Sequence, residues 1–233
     1  MPRDKDLMRL VRAIVDGETE KVSCLIAKSP DLVRERAAVG ASRESEGEYF
    51  FEEIRHYLYA GDTALHMAAA GFRWQIAEEL IGKGADCSAK NRRGAEPLHY
   101  AADANTWNPD AQVATIECVI RAGANPNAVD KSGVTPLHRA VRTRCAAAVQ
   151  ALLAGGAEPC HKNKSGSTPL HLAVQNTGRG GSGTPRAKEQ QRQIILLLLE
   201  SGAKPTDTDG RGRAVDQVIT ADWIRELLTA KHD

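Results

Sequence analysis

A six-residue phrase recurs four times in this chain, and its spacing constrains the fold more than any other feature. It reads Gly61-Asp62-Thr63-Ala64-Leu65-His66, then Gly94-Ala95-Glu96-Pro97-Leu98-His99, then Gly133-Val134-Thr135-Pro136-Leu137-His138, then Gly166-Ser167-Thr168-Pro169-Leu170-His171. The leading glycines lie 33, 39 and 33 residues apart. A second phrase, Gly-Ala followed by a polar residue, begins at Gly84, Gly123, Gly156 and Gly202. Each time a further glycine follows ten residues on, at Gly94, Gly133, Gly166 and Gly212, so Gly212 opens another unit 46 residues after Gly166. Self-similarity at such a period marks a stacked array, in which a unit buries its apolar face only against its neighbours.

The physics of one unit is legible. Thr63, Thr135 and Thr168 stand where a hydroxyl caps a helix N-terminus. Pro97, Pro136 and Pro169 then fall in the first turn, where a missing N–H costs nothing. Ala68-Ala69, Ala101-Ala102, Ala140-Val141 and Ala173-Val174 make a thin apolar stripe that lets helices approach closely. A second helix follows, with Ile116, Val119 and Ile120 in one unit and Val149, Leu152 and Leu153 in another at helical spacing. The glycine after it closes that helix in a left-handed turn.

This pattern resembles the ankyrin repeat, whose period is ~33 residues with a T-P-L-H-x-A signature. The resemblance covers residues 61–212 closely. It implies an all-α fold, a single ankyrin-repeat solenoid over residues 1–233 with about six helix pairs and short β-hairpin-like fingers. Residues 1–38 become an N-terminal capping repeat, with helices expected over Asp6–Asp16 and Glu18–Lys28. Residues 213–233 become a C-terminal capping repeat carrying Val215, Val218, Ile219, Ile224, Leu227 and Leu228. Its register is expected to slip by about one residue, leaving Asp216 near the histidine position. The resemblance also implies that His66, His99, His138 and His171 hydrogen-bond backbone between loops. One per unit, they stand roughly 10 Å apart, too far to share a zinc.

Three insertions break the period. Residues 39–60 hold a charged run, Arg43 to Glu48, and then five of the ten aromatics in eleven residues, Tyr49 to Tyr59. Exposed aromatics are costly, so this finger insertion either packs on the solenoid or packs and also contributes to a binding surface. A second insertion lies near residues 103–110, where Trp107 is expected to cap the neighbouring turn. The third, near residues 177–188, is Gly-rich and reads as a linker. It contains a literal G-x-G-x-x-G at Gly178–Gly183, but a helix rather than a strand precedes it, which excludes a dinucleotide fingerprint.

Composition narrows the function. The five cysteines never form a C-x-x-C pair, which excludes a disulfide framework and fits a reducing compartment, so the expected location is cytoplasmic. No apolar run approaches ~18 residues, so no membrane span is expected. Residues 1–6 carry acidic side chains ahead of any apolar stretch and do not read as a signal peptide. No nucleophile–base arrangement or metal spacing appears, and Glu52-Glu53 and Glu78-Glu79 are adjacent pairs that diverge on a helix. The expectation is a non-enzyme with no catalytic, cofactor or metal residues.

Formal net charge is +1, yet residues 131–195 carry ten Lys/Arg against two Asp/Glu. In the family resembled, partners dock on the concave side, formed by finger tips and the ends of first helices. Carried over by position, the tips are Tyr59 and Asp62, Arg92 and Arg93, Lys131 and Val134, and Lys164 and Ser167. The first-helix positions are Ala70, Asp103, Arg142 with Thr143, and Gln175 with Asn176. Tyr57, Tyr59, Arg92, Arg93, Tyr100, Lys131, Arg139, Arg142 and Lys164 are the candidate partner-binding residues. They suggest an interaction scaffold for a protein with an acidic surface or peptide, since Arg pairs bidentately with carboxylates. The alternative is a nucleic-acid-binding module that stacks bases on the aromatic insertion. The sequence leaves the oligomeric state open.

Overall fold

Each repeated phrase starts a helix: its histidine ring accepts the cap residue's N–H, and in two units Thr135 or Thr168 accepts the histidine's N–H in return. The computed structural model describes residues 2–42, 47–103, 106–175 and 183–229. First helices are α1 (Pro2–Asp16), α3 (Ala64–Ala70), α5 (Pro97–Ala101), α7 (Pro136–Arg142) and α9 (Pro169–Ala173). Second helices are α2 (Thr19–Lys28), α4 (Trp74–Gly82), α6 (Pro109–Arg121), α8 (Ala146–Ala154) and α10 (Pro185–Glu200), and α11 (Asp222–Thr229) ends the array. First helices pack in the order α1, α3, α5, α7, α9, and second helices in the order α2, α4, α6, α8, α10. One continuous core runs between the two rows, with Leu10, Ile14, Leu65, Leu98, Leu137, Leu170, Ile194 and Leu198 fully buried.

The imidazoles tie the units together. In each repeat Nδ1 accepts from the cap residue's backbone N–H: Thr63 to His66 at 3.1 Å, Glu96 to His99 at 3.1 Å, Thr135 to His138 and Thr168 to His171 at 3.3 Å. That fixes the other nitrogen as the protonated one. Nε2 then donates to a carbonyl of the next finger: Ala95 from His66 at 3.1 Å, Val134 from His99 at 3.0 Å, Ser167 from His138 at 3.1 Å, Arg213 from His171 at 3.3 Å. The bridge between loops implied by the resemblance is therefore made in all four units.

The fingers carry a signal the phrase alone conceals. Three residues before the leading glycine stands Asn91, Asp130, Asn163 or Asp209, and each side-chain Oδ1 accepts two backbone amides of its own turn. Tip amides then bond the preceding finger: Arg92 to Ala60 at 2.8 Å, Lys131 to Arg93 at 2.9 Å, Lys164 to Ser132 at 3.0 Å, Gly210 to Ser165 at 3.2 Å. The last approach is so tight that a Cβ on Gly166 (φ +76°) would lie 2.1 Å from the Gly210 nitrogen.

Several expectations are corrected at the ends and insertions. The C-terminal unit does not slip. Gln217, five residues after Gly212 as each histidine is after its own glycine, accepts from Ala214 N–H at 3.0 Å, and Asp216 is exposed. Its first helix shrinks to a 3-10 turn over Val215–Val218. The linker over residues 177–188 is shorter than composition suggests, because Pro185–Lys188 form the first turn of α10. Thr184 caps that turn by accepting from Ala187 N–H at 3.2 Å. Asn108 caps α6 in the same way at 3.3 Å, with Pro109 at the first helical position. Trp107 caps nothing; it is 47% exposed and lies under the Arg186 guanidinium, 4.2 Å from the ring centroid. Most of the G-x-G-x-x-G stretch, Arg43–Glu46 and Ala104–Asn105 lie outside the described residues.

The aromatic insertion packs on the solenoid. Its strands β1 (Phe50–Phe51) and β2 (His56–Tyr57) form an antiparallel hairpin, with Phe50 opposite Tyr57 and Phe51 opposite His56. Phe51, Ile54 and Leu58 enter the core, while Tyr49, Tyr57 and Tyr59 stay partly exposed.

Two predictions follow from this packing. Leu137→Ala, in the central unit with no exposure, is expected to cost ~2–5 kcal/mol in urea unfolding. The imidazoles also set a pH dependence. Burial pushes His99 and His138 down to about 4 and lowers His66. A depressed histidine stabilises fully above its unfolded value near 6.5, and the gain shrinks as pH falls towards 4, on the order of 3 kcal/mol for each of His99 and His138. The unfolding free energy should fall steadily between those limits. His138→Gln, which mimics the Gln217 cap, should make that slope shallower.

Candidate functional site

The candidate residues divide sharply by burial, and the reason is a pair of buried polar networks. Asp62 has no exposed surface, and its carboxylate accepts from Tyr59 N–H at 2.6 Å, Asn91 Nδ2 at 2.9 Å and the Tyr100 hydroxyl at 2.9 Å. Tyr100 is 1% exposed, because its hydroxyl is needed there to neutralise a carboxylate that water cannot reach. Burial, and then the Asp62 charge, push its phenol well above the usual range. The insertion closes over this network. The His56 ring lies 4.4 Å from that of Tyr100, Nδ1–H donates to Tyr57 O at 2.8 Å, and burial lowers its basicity.

Arg139 belongs to the second network. Its guanidinium reaches Asp103 at 2.7 Å and Asp130 at 3.3 Å, and only 8% of the residue is exposed. Burial, the largest single influence, would lower its pKa, but the charge and hydrogen bond of Asp103 together with the charge of Asp130 outweigh it and raise it. Arg142 adds a longer contact to the second oxygen of Asp103, 3.4 Å away, while 63% of its side chain stays exposed. Arg144 sits at φ +62° and donates to the carbonyls of Ala173 and Gln175 at 2.8 and 2.7 Å, pinning the next unit. Burial pushes it down to about 10.

Tyr100 and Arg139, expected at the surface, are therefore buried and held in these networks. Asp62, Ala70 and Asp103, also carried over as docking positions, are buried for the same reasons or in the helix contact. Thr143 turns its hydroxyl back onto the Arg139 carbonyl at 3.0 Å, and Asn176 lies outside the described residues. Arg92, Arg93, Lys131, Arg142 and Lys164 are exposed, and Tyr57 and Tyr59 are partly so.

Six of the nine candidates line one cleft of about 310 Å³, between the insertion hairpin, two fingers and the first helices: Tyr57, Tyr59, Arg93, Tyr100, Arg139 and Arg142. Arg92 stands beside it, bonded to Ala41 O, and Arg92 and Arg93 lie 5.4 and 5.1 Å from the Tyr59 ring centroid. Lys131 and Lys164 continue along the tips, outside the cleft. Two residues escaped the sequence reading. Arg211, exposed at the fifth tip, could have been found by aligning Asp209-Gly210-Arg211-Gly212 with the earlier turns. Arg55, exposed in the β1–β2 turn and lining the cleft, had no such signal, because nothing in the sequence announces that hairpin. Among the described residues no group of three or more His, Cys, Asp or Glu is arranged to hold a metal ion. No described helix is long and apolar enough to cross a membrane.

Helix pairs stacked in two rows, with an imidazole linking each finger to the next, define a repeat solenoid built for surface recognition. The family comparisons agree: a three-copy ankyrin-repeat model matches residues 107–209 and a single-repeat model matches 60–92. The chain belongs to the ankyrin repeat family, whose arrays are in general protein–protein interaction modules. It is 36% identical over 166 residues to E3 ubiquitin-protein ligase KEG of Arabidopsis thaliana, covering 60% of this chain and 10% of that protein. It is 33% identical over 127 residues to NF-kappa-B inhibitor delta of Mus musculus, covering 52% of this chain and 36% of that protein. The matches thus span about a tenth and about a third of these relatives.

Removing the hydroxyl that bridges Asp62 and Asn91 tests the first network. Tyr100→Phe is expected to cost about 1–3 kcal/mol in urea unfolding, because Asp62 loses a buried donor.

Proposed function

We propose that this chain is a non-catalytic interaction scaffold or adaptor that binds a protein with an acidic surface or peptide on its concave basic face. One observation carries the reading. Arg92, Lys131 and Lys164 stand at corresponding positions of consecutive fingers, each with its amide bonded to the finger before it, so their side chains leave the backbone at a fixed repeat. Arg93 and Arg211 extend the row. A row of cations on a backbone ladder is pre-organised, so a partner's carboxylates meet it without ordering the loops first. The five free cysteines fit a reducing location such as the cytoplasm.

The alternative, nucleic-acid binding, draws support from Tyr57 and Tyr59 beside arginines. Two observations weigh against it: Arg92 and Arg93 lie against the Tyr59 ring that a base would need, and Arg139 is already held by Asp103 and Asp130.

Lys131→Glu with Lys164→Glu tests the row without disturbing the core. Affinity for acidic partners captured by the wild-type chain should drop roughly 10-fold or more and lose most of its salt dependence. Unchanged affinity would place the docking face elsewhere. A gel shift with random oligonucleotides at low salt decides the alternative, since retardation at micromolar protein would favour it.

A further inference from the structure

We infer that the cleft between the insertion hairpin and the first helices is a subsite for one carboxylate side chain of an extended segment of the partner, gripped between Arg93 and Arg142 with its stem against Tyr57 and Tyr59. This rests on the reading of an acidic protein partner and narrows it to a single anchoring position.

Charge is the first ground. The cleft is lined by four guanidiniums, Arg55, Arg93, Arg139 and Arg142, and two carboxylates, Asp103 and Asp130. Arg139 is held by both carboxylates, so its charge is already answered. Arg142 gives only one long contact, at 3.4 Å, to Asp103 and keeps most of its fork of donors exposed. Arg55 and Arg93 are both exposed in its lining, one on the hairpin and one on a finger. The lining surplus is therefore two positive charges, and Asp62, buried directly behind Tyr100, offsets part of it. A single negative charge matches that balance. A dianionic phosphate would face Asp103 and Asp130 across the floor.

Shape is the second ground. The volume, about 310 Å³, admits a side chain or two but not a folded surface. One wall is aromatic: the Tyr57 and Tyr59 ring centroids lie 6.1 Å apart. Such a wall takes the methylenes of a glutamate and an apolar neighbour, while Arg93, lying over Tyr59, presents donors to the carboxylate. The floor is rigid. Tyr100, Asn91 and Asp62 are locked together and Arg139 is held by two carboxylates, so the surface beneath the exposed guanidiniums is set before anything binds.

The test uses the full chain on an array of extended acidic peptides in which one position at a time is glutamate, glutamine or phosphoserine. The expected result is one position at which glutamate is preferred over glutamine by about tenfold, most strongly beside an aromatic or branched aliphatic residue. Arg93→Gln with Arg142→Gln should bring that ratio close to one, and Arg55→Gln should lower it in part. Lys164→Gln, outside the cleft, should weaken glutamate and glutamine peptides alike. All the altered side chains are exposed, and thermal melts check that each variant folds. Equal retention of glutamate and glutamine everywhere, a preference for phosphoserine, or a ratio untouched by the cleft variants overturns the subsite while leaving the acidic-partner reading intact. Failure of every acidic peptide to bind overturns the subsite, and the acidic-partner reading falls as well if Lys131→Glu with Lys164→Glu leaves partner affinity unchanged.

Discussion

A neutral imidazole, accepting from the start of its own helix and donating to the next finger, sets the geometry of the whole array. It satisfies an N–H at the head of a first helix and a carbonyl at the base of the neighbouring loop, two groups that the stack hides from water. Both ring nitrogens are used, and only the uncharged tautomer fits both roles. The distance between units is thereby fixed, and with it the distance between fingers, the tip-to-tip amide bonds and the spacing of the side chains that project from the tips. Where Gln217 replaces histidine in the last unit, its amide still accepts from Ala214, but the first helix contracts to a single 3-10 turn.

The electrostatics of the concave side are less simple than the local surplus of basic residues suggests. Arg139 and Arg144 both lie in that basic stretch, yet each is committed to holding units together, one through carboxylates and one through helix-end carbonyls. Exposed on that side are a line of tip cations and a cleft in which Arg55, Arg93 and Arg142 stand about the Arg139–Asp103–Asp130 network. The insertion adds an aromatic wall, a contact of His56 with Tyr100 and one of those three guanidiniums.

The repeat, the helix starts and the inter-loop histidines were legible because each depends on contacts within one unit or with an identical neighbour. The same logic explains what was not. Tyr100 and Arg139 look like surface residues at their places in the phrase, and their burial depends on Asp62 and Asp103, each supplied by the preceding unit. No periodicity reports a partner 38 or 36 residues away. The Asn or Asp three residues before each leading glycine is less conspicuous because the two residue types alternate, although either accepts the same turn amides. Helical first turns at Pro109 and Pro185 were masked by the loop composition around them, although Asn-Pro and Thr-Pro are cap signals in their own right.

The guanidinium of Arg139, clasped by one aspartate at the end of α5 and another in the following finger, sets a limit on modularity. Units that share the same phrase look like interchangeable cassettes. Transplanting the third unit behind a different predecessor would bring its arginine and Asp130 without Asp103, leaving a nearly buried guanidinium with only its longer carboxylate contact. The order of the repeats is thus written into a charge triad as well as into the helices, and shuffling them would preserve the solenoid's outline while loosening the contact between two units.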